Sequence, residues 1–569
     1  MHAIVIAEPG GPEVLEWTEV EDPRPAPDEP PEERPGGLAP GHAGWTRTYG
    51  RTARPQFVDR LEAWVRAHRT VLLSLGIPLA LVIAATAWNL QGWPGRVDED
   101  EGTYVAEAWA MISEHHLAPY TYWYDHPPLG WAQLAGYSWL TDGFARYASS
   151  IEVGREFMLL VTIASSVLIY VLARRLRFRP ATAGITVALF GLSPLAVYYH
   201  RMVSLDNIGT LWLLAAMVAA TSRRRSLGAA FWAGMFSAVA VLSKETIAIL
   251  LPVVLWLIWQ QSHQRTRTWH LAVYSVTVGL LTAFYPLFAV LRGELFPGSG
   301  HVSLLWAVWW QLFGRTGSGF LLSNGTAANG LLTLWLGTDR WLLFGGMAAT
   351  LPGLFTRRLR PFAFGLLLQT AMALTGGYLP YFYVTAMIPF AALLIGGVAD
   401  TLWNPVRSEL LEWARRMAAI TAGIAAVLFV VPQWGGALVR QAGENGATSA
   451  LRATAWVEAH VPKKDVVVVD DYLWLDLKRA GMNPLWEQKM ASDAESQGVL
   501  SDGWRSVNYV VVTGQIIGTL ATLPILQQAI SHSVPVARFG DGIVVRRVNP
   551  GWQTTGPRVR PRSVRDNRV

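Results

Sequence analysis

Four consecutive carboxylates, Asp98-Glu99-Asp100-Glu101, stand close behind the first long apolar run of this 569-residue chain and lead into Gly102-Thr103-Tyr104. Acids placed just beyond a membrane span usually mark a working site. A carboxylate in this position can take a proton from a hydroxyl, and crowding four acids raises at least one pKa, making that group a better base. Further groups suit the same chemistry. His126-Pro127-Pro128-Leu129-Gly130 carries an imidazole whose following prolines limit backbone freedom. Arg201, with Asp206 close behind it, and Ser243-Lys244 supply cations able to stabilise negative charge that builds on a departing group.

Positioning these residues falls to apolar segments. The run 71–90 has no charged residue, and about twenty such residues carry a helix across the hydrocarbon layer. It is too long for a secretory h-region and reads as a retained signal anchor. Further apolar segments at 156–173, 181–199, 207–221, 227–242, 246–260, 271–291, 331–354, 362–379, 381–399 and 417–433 bring the expected count to about eleven spans. Hydrophobic residues make up 51% of the chain against 15% charged, more apolar than a soluble domain requires. The fold class predicted is therefore an all-α polytopic membrane protein, and the 27 tryptophans suit its interfacial belts.

Basic clusters recur after every second span: Arg174, Arg175, Arg177 and Arg179; Arg223, Arg224 and Arg225; Arg265 and Arg267; Arg357, Arg358 and Arg360; Arg415 and Arg416. The positive-inside bias assigns those loops to the cytoplasm and leaves the acidic run, 120–130, 198–206, 243–245 and 292–329 on the opposite face. An odd number of spans with the N-terminus inside places everything after about residue 434 outside. The net charge of +6 is carried by these short loops and gives no case for a nucleic-acid partner. With no cysteine, disulfides, thiolate nucleophiles and Cys-ligated metals are excluded.

Four regions follow. Residues 1–64 form a cytoplasmic, largely disordered extension, Pro- and Gly-rich over 30–54. Residues 65–435 form the transmembrane domain. Residues 436–550 read as a small α/β domain: a helix at 448–460, strands at 465–470 and 507–513, a helical stretch to about 530 and two closing strands within 534–548. Residues 551–569 are basic and proline-containing and expected to be disordered.

Collected on one face, these motifs resemble the GT-C glycosyltransferases that use polyprenyl-phosphate sugars, particularly the protein O-mannosyltransferase and aminoarabinose transferase families. The resemblance covers about 65–435. It rests on Asp100-Glu101 followed by Tyr104, on His126-Pro127-Pro128-Leu129-Gly130, on Arg201 with Asp206, and more weakly on Ser243-Lys244. It implies a transferase with Asp100 as base and Glu101 beside it. His126, Arg201 and Lys244 would hold the donor phosphate, and Tyr104, Asp206 and Arg315 would support them. Asp98-Glu99 is the competing register, but two residues earlier the aromatic position would be Gly102. Where aminoarabinose transferases have a lysine before Pro-Pro this chain has His126, which points to hydrogen bonding there rather than a full charge. Residues 1–29 separately resemble the N-terminus of zinc-type quinone oxidoreductases, whose nucleotide-binding part is absent; they read as a remnant or misplaced start without redox function.

A sugar on a lipid phosphate already has a good leaving group, so one carboxylate suffices and inversion by single displacement is expected. Glycoside hydrolysis, by contrast, normally needs two opposed carboxylates. The expected function is transfer of one sugar, with mannose favoured, from a polyprenyl-phosphate carrier to an extracytoplasmic protein, glycolipid or polysaccharide in the bacterial cytoplasmic membrane. The alternative is a polytopic transporter or lipid-carrier flippase without transferase activity. No cofactor is required. An EF-hand is excluded because positions six and twelve counted from Asp98 are Thr103 and Trp109; a divalent cation on Asp98, Asp100 and Asp125 is a separate alternative.

Bland readings stand beside each of these. Arg201 pairs with Asp206 as a structural bridge, Lys244 snorkels, and Tyr120, Tyr122, Trp123 and Tyr124 belong to an interfacial belt rather than a sugar platform. Asp470 and Asp471 cap a helix rather than contact an acceptor. The loop 292–329, with Phe313-Gly314-Arg315-Thr316-Gly317-Ser318-Gly319, is either a lid over the lipid donor or a mobile connector. Asn324-Gly325-Thr326 matches a glycosylation acceptor that is meaningful only in a eukaryotic secretory setting.

Overall fold

A computed structural model describes residues 2–6, 15–19, 68–92, 100–405, 408–490, 493–540 and 542–549. The chain divides into two units, 1–63 and 64–569. In the first, β1 (His2–Ile6) pairs antiparallel with β2 (Leu15–Glu19). The linker 30–54 and the tail 551–569 lie outside the described residues.

The second unit is mainly helical. Among its described residues five helices are long and apolar enough to span a membrane: His68–Ala87, Ser150–Arg175, Arg267–Leu291, Tyr381–Leu402 and Glu409–Ala442. A sixth candidate is the pair Pro180–Leu192 and Pro194–Arg201, bent by 60°. Pro194 opens the second helix of the pair, and Ser193 before it leaves the helical region at ψ 132°, because the proline ring disfavours helical backbone in the residue that precedes it. The about eleven spans expected are thus not all present as full-length helices. The runs around 207–221, 227–242 and 246–260 fold as Leu205–Ala220, Leu227–Ser243 and Glu245–Gln261, each under 18 residues. At 1.5 Å per residue the 16-residue Leu205–Ala220 reaches only about 24 Å against a layer of about 30 Å. The helix Ala327–Phe355 is interrupted at Asp339, whose φ of −155° and ψ of 95° leave the helical region.

Helices at the periphery turn apolar side chains outward, as a lipid-facing surface requires. Glu409–Ala442 buries none of its apolar window, and Leu410, Ile424, Val427 and Phe429 are exposed. In contrast, Leu205–Ala220 is enclosed, with Leu213, Leu214, Ala216 and Met217 in the main core.

The C-terminal part forms a five-stranded sheet in the order β4-β3-β5-β7-β6. β3 (Val466–Val469) is flanked in parallel by β4 (Asn483–Trp486) and β5 (Tyr509–Val512). β7 (Ile543–Val548) pairs antiparallel with β5 and with β6 (Ser533–Phe539). The all-valine β3 is buried throughout, as expected of a central parallel strand. β4 was not expected from the sequence: it is four residues long and contains Pro484, which is tolerated because the strand lies on the sheet edge. After β3 the chain enters the helix Asp471–Arg479, which packs against the helix Glu101–Ser113 of the first loop.

Candidate active site

The first-loop helix Glu101–Ser113 begins at Asp100, whose φ of 47° is left-handed and whose side chain makes no capping bond. Asp is among the few non-glycine residues that visit this region. Asp100 is exposed. Tyr104, one helical turn on, donates its amide to the Asp100 carbonyl at 3.2 Å and sets its ring 6.2 Å from that of His126. Tyr104 is buried, and burial followed by the fields of Asp100, Asp206 and Asp125 holds its hydroxyl well above the usual phenol range.

Glu101 faces the other way. Arg155 Nε donates to its Oε1 at 3.0 Å and Arg155 Nη2 to its Oε2 at 2.7 Å, while the Val203 amide donates to Oε1 at 2.9 Å. Arg155 also donates to the carbonyls of Leu90 and Gln91. Glu101 is only 2% exposed and both its oxygens are engaged, so it anchors the first loop to the span Ser150–Arg175.

His126 lies between two ionisable groups from the turn after Leu227–Ser243. Its Nδ1 is 2.9 Å from Glu245 Oε2, and Lys244 Nζ is 3.0 Å from its Nε2. A lysine ammonium only donates, so Nε2 must present its lone pair and the proton sits on Nδ1, donated to Glu245. His126 therefore holds the Lys244 ammonium in place. Its carbonyl accepts from the hydroxyls of Tyr122 at 2.6 Å and Tyr285 at 3.2 Å, fixing the backbone before Pro127. Lys244 Nζ is 3.8 Å from Asp206 Oδ2, which also accepts from Ser204 Oγ. The Ser243 hydroxyl donates to Val239 O and accepts from Gln133, so it supports the turn.

Arg201 closes the short helix Pro194–Arg201. Buried, it donates to the carbonyls of Ala85, Thr86 and Asn89, at the C-terminal end of the first span. Arginine there satisfies carbonyls that the helix end leaves free and complements its dipole. Arg315 donates to Gln311 Oε1 at 2.8 Å and lies 3.6 Å over the Tyr378 ring, while Gln311 donates to the Asp125 carbonyl at 3.2 Å. The loop 292–329 is not a bare connector, since it contains the helix Leu304–Trp309 and a wider turn at Trp310–Gly314.

Of the aromatic residues of 120–124, Tyr122 and Tyr124 are buried. Tyr122 is hydrogen-bonded to Tyr285 at 2.9 Å, and Tyr124 donates to Glu294 at 2.5 Å. Beside them a cavity of about 650 Å³ is lined by His115, His116, Tyr120, Arg292, Glu294 and His301, among others. Among the described residues no three His, Asp or Glu side chains converge to hold a metal ion; Asp98 and Glu99 lie outside those residues.

The sequence reading missed Glu245, Arg155 and the full role of Asp471. Arg155 and Glu245 each carried a signal, being ionisable residues directly before apolar segments, where a charge needs a partner. Asp471 was read as a possible helix cap. It does cap a helix, but one 368 residues away: its Oδ2 accepts from the Thr103 amide and Thr103 Oγ1, both at 2.9 Å. Its own helix is capped by Asp470, whose Oδ1 accepts from the Leu473 amide. Burial, then the charges of Asp470 and Asp100, push the Asp471 carboxyl up to about 7.

The family model described as dolichyl-phosphate-mannose-protein mannosyltransferase matches residues 125–289. That range holds His126, Arg201, Asp206 and Lys244. The undecaprenyl phosphate-alpha-4-amino-4-deoxy-L-arabinose arabinosyl transferase of Edwardsiella ictaluri (strain 93-146) is 30% identical over 115 residues, 19% of this chain and 21% of the relative. The chain thus matches about a fifth of that relative's length. Two solved structures resemble the whole architecture. ArnT from Cupriavidus metallidurans bound to undecaprenyl phosphate superposes with a TM-score of 0.54 at 15% identity, covering 84% of this chain and 98% of that one. The archaeal oligosaccharyltransferase AglB from Archaeoglobus fulgidus, in complex with an inhibitory peptide and a dolichol-phosphate, gives 0.51 at 15% identity over 86% and 75%. These bear out the GT-C resemblance: the chain has a GT-C fold, a polytopic helical bundle with a small C-terminal α/β domain.

Proposed function

We propose that this chain is an inverting membrane glycosyltransferase that moves one sugar from a polyprenyl-phosphate carrier to a hydroxyl on an extracytoplasmic acceptor, with Asp100 as general base. One observation carries the reading. An exposed carboxylate at the head of the first-loop helix stands one turn before Tyr104, whose ring packs 6.2 Å from that of His126 in the Lys244–His126–Glu245 group. Asp100 takes the acceptor's hydroxyl proton, the acceptor oxygen bonds to the anomeric carbon, and the bond from that carbon to the carrier phosphate breaks. Lys244 meets the charge that grows on the departing phosphate, where fixed cations act most strongly in the transition state. With one N–H on His126 and another toward Asp206, it keeps a third for a phosphate oxygen. No step needs a divalent cation.

The donor reading draws on the relatives: the undecaprenyl phosphate and dolichol-phosphate bound to the two solved structures, and the lipid-linked sugar in the curated relative's name. Mannose is favoured by the matching family model, with 4-amino-4-deoxy-L-arabinose the competing sugar. We place the chain in the bacterial cytoplasmic membrane with its N-terminus inside. The alternating basic loops support that orientation. Contact between Asp471 and Thr103 also requires the C-terminal domain and the first loop to share a side.

The test is Asp100→Asn in membranes supplied with a panel of polyprenyl-phosphate sugars. Transfer should fall about 10²- to 10⁴-fold, the usual worth of a positioned base, with the variant still folded. Near-normal transfer by this variant defeats the assignment of the base. No labelled product from any donor with the unaltered protein defeats transferase activity and favours a flippase.

A further inference from the structure

The helix Asp471–Arg479 belongs to the C-terminal domain, yet its charged side chains end on the backbone of the transmembrane part. Asp471 supplies the cap that the first-loop helix lacks, holding the Thr103 amide and hydroxyl. Five residues on, Asp476 Oδ1 accepts from the Ser150 amide at 2.8 Å and from Ser150 Oγ at 2.5 Å, at the start of the span Ser150–Arg175. Arg479 bonds the Ser150 hydroxyl at 2.9 Å and the carbonyls of Phe144 and Tyr147, which end the short helix Gly143–Arg146. One nine-residue helix therefore grips three separate helix termini of the transmembrane part.

Two of those termini belong to the helices that carry Glu101 and Arg155, so the clamp and the buried ion pair hold the same two elements together. The approach is also close. A side chain on Gly102 would put its Cβ 2.2 Å from the Asp471 carbonyl oxygen and 2.6 Å from the Tyr472 amide nitrogen. Only glycine allows the backbones to meet there. Asp100 immediately precedes this contact, in a left-handed conformation that its own side chain does not stabilise.

We propose that Asp471 is a positioning residue: by capping the first-loop helix from the C-terminal domain, it sets the location of Asp100 and makes docking of that domain a condition for transfer. This rests on the proposed role of Asp100. An N-cap requires an acceptor oxygen but no charge, and asparagine caps as well as aspartate. Asp471→Asn should therefore work where Asp471→Ala does not.

The experiment uses the full-length protein in detergent and reads amide hydrogen exchange over 101–113 together with transfer kinetics. Asp471→Ala should raise exchange at the start of that helix about 5- to 30-fold, the effect of losing one cap. It should lower kcat by about 10-fold or more, toward the 10²-fold that misplacement of a reacting group can cost, with the donor KM within about 3-fold. Asp471→Asn should restore both readings. Should Asp471→Ala not be recovered folded, Thr103→Val removes the hydroxyl half of the contact and should give a loss of about 2- to 10-fold in the same readings. The proposal is overturned if the alanine or valine variant leaves exchange unchanged. It is also overturned if Asp471→Asn is as impaired in transfer as Asp471→Ala, because the carboxylate would then be acting chemically. An Asp100→Asn variant that keeps its transfer defeats the assignment of the base and leaves the exchange result standing.

Discussion

Replacing Glu101 by glutamine separates anchoring from catalysis in the acidic run. The Arg155 guanidinium is 0% exposed and the Glu101 carboxylate 2%, with two hydrogen bonds of 3.0 and 2.7 Å between them. Glutamine keeps one acceptor oxygen for Arg155 or the Val203 amide but removes the charge, leaving a buried guanidinium facing a neutral amide. Breaking a buried pair by removing one partner costs about 3–5 kcal/mol, because the remaining charge has no solvent to return to. Arg155 retains its bonds to the Leu90 and Gln91 carbonyls, which favours the lower end. About 3 kcal/mol is a factor of roughly 10² in the folding equilibrium. In detergent-solubilised protein this should appear as a fall of the thermal midpoint on the order of 5 °C, allowing for the size of the chain. Size-exclusion profiles after graded heating measure it. Pairing the change with Arg155→Met should recover much of the loss, since an apolar replacement for a buried pair is often neutral or better. If Glu101→Gln melts like the wild type while losing transfer, the anchoring argument is wrong and Glu101 belongs to the chemistry.

Three further outcomes are expected. Gly102→Ala forces a Cβ against the Asp471 and Tyr472 backbone, which cannot rotate aside as a side chain would, and should cost about 1–3 kcal/mol or more; faster proteolytic release of the C-terminal domain would show it. The Asp471 carboxyl is pushed up to about 7 by burial and its acidic neighbours. The folded state therefore binds that proton more tightly than the unfolded chain, and its contribution to stability declines as pH rises from about 4 to about 7, by up to about 1.4 kcal/mol per pH unit. Asp471→Asn lacks this slope, so thermal midpoints of the variant should gain on the wild type between pH 5 and 7 and run parallel above 8. Lys244→Met removes the cation held by His126, and transfer should fall by about 10²-fold or more; an unchanged kcat/KM would remove Lys244 from the donor site.

The membrane class and the GT-C type of helical fold were legible in local patterns and motifs. Apolar length and the alternation of basic loops are short-range signals, and hydrophobic burial depends on composition more than on detail. His126, Lys244 and Asp206, far apart in sequence, could be associated because recognisable motifs carried them, and they do meet in space. The division of labour within the acidic run was not legible. Asp100 and Glu101 are neighbours of similar chemistry, and only the direction of the helix start sends one to the surface and the other into Arg155. Nor could a sequence pattern tell that Arg201 would end on backbone carbonyls of the first span, since carbonyls leave no mark on residue identity. Bent and short spans escaped for a related reason: hydropathy reports what is apolar, while helix length depends on Pro194, on Asp339 and on enclosure by other helices. The same limit hid the joining of Asp471 to the first-loop helix across 368 positions. A cap is a relation between one carboxylate and whichever free amide lies within 3 Å of it, and only the folded chain brings that amide within reach.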